Sequence, residues 1–119
     1  FGEQPIQAAS TILALERFHE VFGADHRERM DAAFAWFLGR NHLHQTIYDR
    51  VTGGCKDGLE QFNVSLNQGA ESTVCYLMAR ATMERTRSTT AQRALPGMQR
   101  ERKLPALLAP NRTIRQSAA

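Results

Sequence analysis

The strongest constraint on this chain is an apolar run at helical spacing. Met30, Ala33, Phe34, Phe37 and Leu38 fall at i, i+3, i+4, i+7 and i+8, the stripe of a helix that buries one side. Asp25, with Glu28 three residues on, has the form of a capping box, and Gly39 supplies a stop. Upstream, Pro5 opens another helical pattern at a position where a missing N–H costs nothing. Ile6, Ala9, Ile12, Leu13, Phe18 and Val21 form its apolar stripe, and Gly23 ends it. The two patterns predict a helical hairpin joined by a short turn. A third helix is expected over about residues 69–86, with Ala70, Val74, Leu77, Met78 and Ala81 on one face. No strand pattern or internal repeat competes, so the expected class is all-α.

Charge is divided unevenly. Residues 1–79 carry six Lys/Arg against ten Asp/Glu, whereas residues 80–119 carry nine against Glu84 and Glu101 alone, which gives nets of −4 and +7. The basic character is therefore expected in a C-terminal tail and not on a folded face. Pro96, Pro105 and Pro110 argue against regular structure there. No aromatic residue follows Tyr76, so base stacking has no partner and nucleic acid is disfavoured as a ligand. Two cysteines make no disulfide framework, and a reduced, cytoplasmic setting is the simpler expectation. No run approaches the roughly 18 apolar residues of a membrane span.

Between the second and third helical patterns lies a polar interval over roughly residues 40–68, far longer than the about 2–8 residues that a helix–helix connection needs. Long polar loops of this kind are where sites collect. Gly53, Gly54 and Gly58 allow close approach of a ligand to the main chain, but they match neither a phosphate-binding loop nor a dinucleotide fingerprint. A tight turn is the plainer account of them. Asn67, Gln68 and Glu71 open the third helix, where Asn67 is a candidate cap and Glu71 meets the positive helix end. The same side chains suit the hydroxyls of a sugar. Asp49, Asp57 and Glu71 are carboxylates whose convergence would be the minimum for glycoside acid–base work. Trp36, followed by Arg40 and Asn41, offers a ring for sugar stacking, although such a Trp more often sits in a core with its N–H satisfied. His42 and His44 lack the ligands that would complete a zinc set. Cys55 has only Lys56 as a cationic neighbour and is a poor nucleophile candidate. No cofactor is expected.

Several stretches resemble the C-terminal helical region of bacterial group-1 glycosyltransferase-like proteins. They are Gln4-Pro5-Ile6 with Ala8-Ala9, Ala35 to Asn41, Tyr48-Asp49, Thr52-Gly53-Gly54-Cys55 with Asp57-Gly58-Leu59, and Asn67 to Thr73. The resemblance runs in unbroken order over about residues 3–80. Arg50 stands where the pattern has proline, and Gln61-Phe62-Asn63 replaces a Pro-Asp-Gly-like turn. The resemblance implies part of an incomplete six-hairpin α/α toroid whose loops line a carbohydrate cleft, expected here over residues 1–87; the tail over 88–119 is unmatched by it, and its charge and prolines lead to the expectation of a weakly ordered basic tail. Its implied substrate-facing residues are Trp36, Arg40, Asn41, Asp49, Asp57, Asn67, Gln68 and Glu71, with no catalytic residue assigned. The helices expected here have apolar faces too wide to cover one another, and the chain starts at Phe1 without Met. Both lead to the expectation of a non-catalytic piece of a longer protein, partnered by the rest of that protein or by a second copy. The competing expectation is a small helical interaction module that dimerises and uses its tail on an acidic partner.

Overall fold

A computed structural model describes residues 2–94. Those residues are mainly helical, with α1 over Pro5–Phe22, α2 over Arg27–Ala35 and α3 over Ala70–Arg93. The α2 end tightens into a 3-10 turn, Trp36–Leu38, and isolated bridges replace any strand among the described residues. The all-α expectation holds. The tail expected from residue 88 is helical as far as Arg93, and from Leu95 onward it lies outside the described residues.

Pro5 is the first residue of α1, as its missing N–H allows, and Gly23 closes that helix in the left-handed region at φ 69°. A reciprocal pair between Gln4 and Gln7 caps the start. The capping box expected at Asp25 and Glu28 does not form. Asp25 Oδ1 instead accepts from the Arg27 backbone at 3.0 Å while its carboxylate forks onto the Arg27 guanidinium, and α2 starts at Arg27. That fork holds the Asp25 carboxyl well below the usual carboxylate range. At the other end Gly39 adopts φ 105°, the stop that the sequence marks.

The helices run up, down and up. Glu16 on α1 takes Arg85 of α3 at 2.7 Å, while Gln4 and Pro5 lie beside Ala70 and Ser72, so α1 and α3 are parallel. Asp31 on α2 pairs with Arg87 at 3.0 Å and the Phe34 ring lies 5.9 Å from that of Tyr76, which sets α2 antiparallel to both. Ile12, Met30 and Phe37 are fully buried between them. The expected stripe of α2 is the one that packs, apart from Leu38, which is half exposed.

Helix α3 turns a different face inward from the one expected. Cys75, Tyr76, Ala79, Thr82 and Met83 are buried, whereas Val74, Leu77 and Met78 are about half exposed, at 52%, 51% and 47%. The buried face mixes small side chains, Ser72, Cys75, Ala79 and Thr82, with Tyr76 and Met83, and the Ser72 hydroxyl is satisfied by Asp57.

The interval over 40–69 is not a polar strap. Ile47, Cys55 and Leu59 are fully buried beneath it and join the helical core. Glu3 and Leu59 exchange a backbone hydrogen-bond pair at 2.9 and 2.8 Å, and Ile47 N–H donates to the Phe37 carbonyl at 2.9 Å. The loop is thus tied to the start of α1 and the end of α2.

Candidate functional site

The loop places its polar groups at the end of the molecule where α1 and α3 begin. Asp57 is the organising residue. Its Oδ1 accepts from the Gly69 N–H at 2.7 Å and from the Ser72 hydroxyl at 2.7 Å, and its Oδ2 accepts from the Asn67 amide. A carboxylate from the loop therefore caps α3 from outside the helix, where free N–H groups and the positive end of the helix favour a negative charge. The Asn67 amide, the Ser72 hydroxyl and the Gly69 N–H hold its carboxyl below the usual range. Gly69 is the N-cap residue, and Asn67 acts one step removed, through Asp57.

A second cluster adjoins the first through Gln68. The Gln68 amide donates to Asp49 Oδ2 at 3.1 Å, and its oxygen accepts from the Thr52 hydroxyl at 2.7 Å. Asp49 Oδ1 accepts from Val51 N–H at 2.8 Å, which closes the Asp49–Gly54 turn and lowers the carboxyl's pKa, with Gln68 adding to the effect. Gly53 in this turn takes φ 75°, the positive value that the glycine-rich run predicts. Asp49 and Asp57 accordingly sit in separate hydrogen-bonded clusters, while Asp57 and Glu71 line one depression.

That depression has a volume of about 320 Å³ and is lined by Gln4, Asp57, Gly69, Glu71 and Ser72 among others. Glu71 is exposed in the first turn of α3. The remaining expected residues lie elsewhere. Trp36 is half-buried against Phe37, with ring centroids 5.3 Å apart, and its indole N–H donates to Glu3 Oε2 at 2.7 Å. Asn41 is buried, and its amide hydrogens go to the Trp36 and Gln45 carbonyls at 3.0 and 2.8 Å. Arg40 faces a different hollow, beside Asp25, Arg27 and Asp31. Sequence reasoning passed over Glu3 and Ser72. Glu3 joins Trp36 to His42, whose Nδ1 is 3.3 Å from its Oε1, and no local pattern announces a contact between residues so far apart in the chain.

The groups gathered at the site are carboxylates, amides and hydroxyls. Desolvation pushes the buried Cys55 thiol up to about 12, which keeps it from acting as a thiolate nucleophile. Among the described residues no group of three or more His, Cys, Asp or Glu side chains is placed to hold a metal ion, and no helix is long and apolar enough to cross a membrane. No protein family, curated protein or solved structure matches this chain.

Proposed function

We propose that the chain supplies a carbohydrate-facing wall to the α/α toroid of a glycosyltransferase-associated protein and has no catalytic activity alone. The observation that carries this reading is the depression at the shared start of α1 and α3. Asp57, Gly69, Glu71 and Ser72 of the two most specific stretches of the resemblance line it together. Two carboxylates with a hydroxyl beside them are hydrogen-bonding partners suited to the hydroxyl groups of a sugar. The up-down-up order of the helices, with the long loop gathered at one end, is also what a rim of such a ring requires. Titration of a panel of mono- and oligosaccharides against the parent protein tests the reading. Binding by one saccharide class is expected, weakened about tenfold by Glu71→Gln, since a hydrogen bond to a charged group contributes about 1.5–3 kcal/mol. Unchanged binding after substitution of Asp57, Asn67 and Glu71 together would sink it.

A second reading, a helical interaction module, is favoured by one observation, the half-exposed Val74, Leu77 and Met78 on α3. Light scattering decides between them. A monodisperse dimer with salt-dependent binding to heparin supports the module.

A further inference from the structure

On the side of the molecule where α2 ends against the middle of α3, a groove of about 370 Å³ has aromatic and aliphatic side chains at its floor and a basic rim. Leu38, Tyr48 and Tyr76 contribute to the floor, while Arg50, Arg80 and Arg87 stand at the rim with Glu84. None of these belongs to the depression at the start of α3.

The floor is rigid. The Tyr48 and Tyr76 rings stack with centroids 4.1 Å apart and planes 12° from parallel, and Tyr76 is itself locked between Phe34 and Phe37. Leu38 leaves about half its surface open beside them, at 51%. Such a surface suits one face of a six-membered ring.

The rim has one positive charge to spare. Arg80 Nε donates to Glu84 at 3.0 Å, and Arg87 donates to Asp31 at 3.0 Å, so these two carry their own counter-ions. The Arg50 side chain makes no ion pair or hydrogen bond among the described residues. Its backbone is nevertheless fixed, because it lies inside the turn closed by Asp49, in which Gly53 N–H reaches the Asp49 carbonyl at 2.9 Å and Asp49 N–H reaches the Gly54 carbonyl at 2.9 Å. A guanidinium at the rim of a groove that also holds aromatic side chains is matched in geometry by a carboxylate, which it engages with two parallel N–H donors. One uncompensated charge calls for a monoanion.

We propose that this groove binds a six-membered ring bearing a carboxylate, the ring lying on Tyr48 and Leu38 and the carboxylate meeting Arg50. An arene acid and an acidic pyranose share that chemistry. The groove and the saccharide depression are separate, so this inference stands or falls apart from the proposed function.

The test is an NMR titration of the isotopically labelled full chain with benzoate, glucuronate, glucose and acetate at constant ionic strength. Benzoate or glucuronate is expected to bind about tenfold or more tightly than acetate and glucose, with the shifts confined to Leu38, Tyr48, Arg50, Arg80 and their neighbours. Benzoate alone identifies the ring as an arene, and glucuronate alone identifies it as a pyranose. Arg50→Ala, at an exposed position, is expected to keep the far-UV circular dichroism and to lose about tenfold in affinity. Arg17→Ala, on the far end of α1, should lose nothing. Acetate matching the ring acids, shifts spread over unrelated arginines, or an unaffected Arg50→Ala variant would each overturn the proposal, as would no binding by either ring acid.

Discussion

Among single residues, Asp57 has the largest share in joining loop to helix. Its three donors come from Asn67, Gly69 and Ser72, so removing the carboxylate leaves a helix start and a loop end without partners. Asp57→Ala should therefore lower the melting temperature more than Asn67→Ala, which removes one donor of the three. The acid side follows from the same bonds. The folded carboxyls of Asp57 and Asp49 titrate below their unfolded values. Their stabilisation is thus fully present above about pH 4, the ordinary aspartate range, and is lost as pH falls through the folded values. Melting curves between pH 2 and 6 should show a steep acid limb that flattens in an Asp49→Asn, Asp57→Asn double variant (the window follows from the ordinary aspartate pKa of about 3.9). Glycines make a second contrast at this scale. A Cβ at Gly58 would come inside 3.0 Å of the Glu3 carbonyl oxygen, part of a paired backbone, whereas one at Gly54 would meet the Gln68 side chain, with its amide oxygen the nearest atom. Gly58→Ala is expected to cost about 1–3 kcal/mol and Gly54→Ala clearly less, as urea denaturation will show. The sequence marked these glycines and Asp57 as special. It offered no means of seeing that Asp57 reaches Gly69, because the pairing depends on how an irregular loop folds back.

At the scale of elements, what was legible was periodicity and its stops. Pro5, Gly23 and Gly39 bound the first two helices where expected, and Met30 with Phe37 is buried as the spacing predicts. Helix α3 shows where that logic gives out. Counting apolar residues picks out Val74, Leu77 and Met78 as the inner face, yet the helix buries Cys75, Tyr76, Ala79 and Thr82. Tyr76 is drawn in by the ring cluster of Phe34, Phe37 and Tyr48, and the small Cys75, Ala79 and Thr82 are buried on the same side. Two substitutions one residue apart separate the faces. Tyr76→Ala should cost about 3 kcal/mol or more, as large-to-small changes in aromatic cores do. Leu77→Ser should change stability by no more than about 0.5 kcal/mol, the usual effect of a surface change. Equal losses at both positions in chemical denaturation would mean that α3 is rotated about its axis so that Leu77 is buried as well. The loop's buried residues escape periodicity for a related reason. Ile47, Cys55 and Leu59 are isolated among polar neighbours, so no period flags them, although each is fully buried.

At the scale of the whole molecule, the question is what an arrangement of three helices does with apolar surface that it leaves outside. Val74, Leu77 and Met78 form one such region on α3, and Phe18, Val21 and Phe22 form another at the end of α1, at 53%, 59% and 71% exposure. Scattered exposed apolar residues are ordinary, but contiguous ones at helical spacing are characteristic of surfaces that meet other surfaces. Charge does not forbid contact at the α3 region. Four of the nine basic residues beyond residue 79, namely Arg80, Arg85, Arg87 and Arg93, lie on α3 itself, and the first three are paired with Glu84, Glu16 and Asp31. The basic character assigned to a tail is thus shared with a folded helix and largely neutralised there. With repulsion reduced, desolvation of the stripe decides the outcome, and the chain is expected to self-associate when no other covering is present. Sedimentation velocity should show a weight-average mass that rises with concentration. Replacing Leu77 and Met78 together by Ser should weaken association about tenfold or more, the effect expected of two central contact residues. The melting temperature at low concentration should not move, since neither side chain is buried in the single chain. A fall in melting temperature that tracks the loss of association would place these residues in the core after all. A mass independent of concentration, with the variant behaving as the parent sequence does, would show that the exposed stripe is tolerated in water.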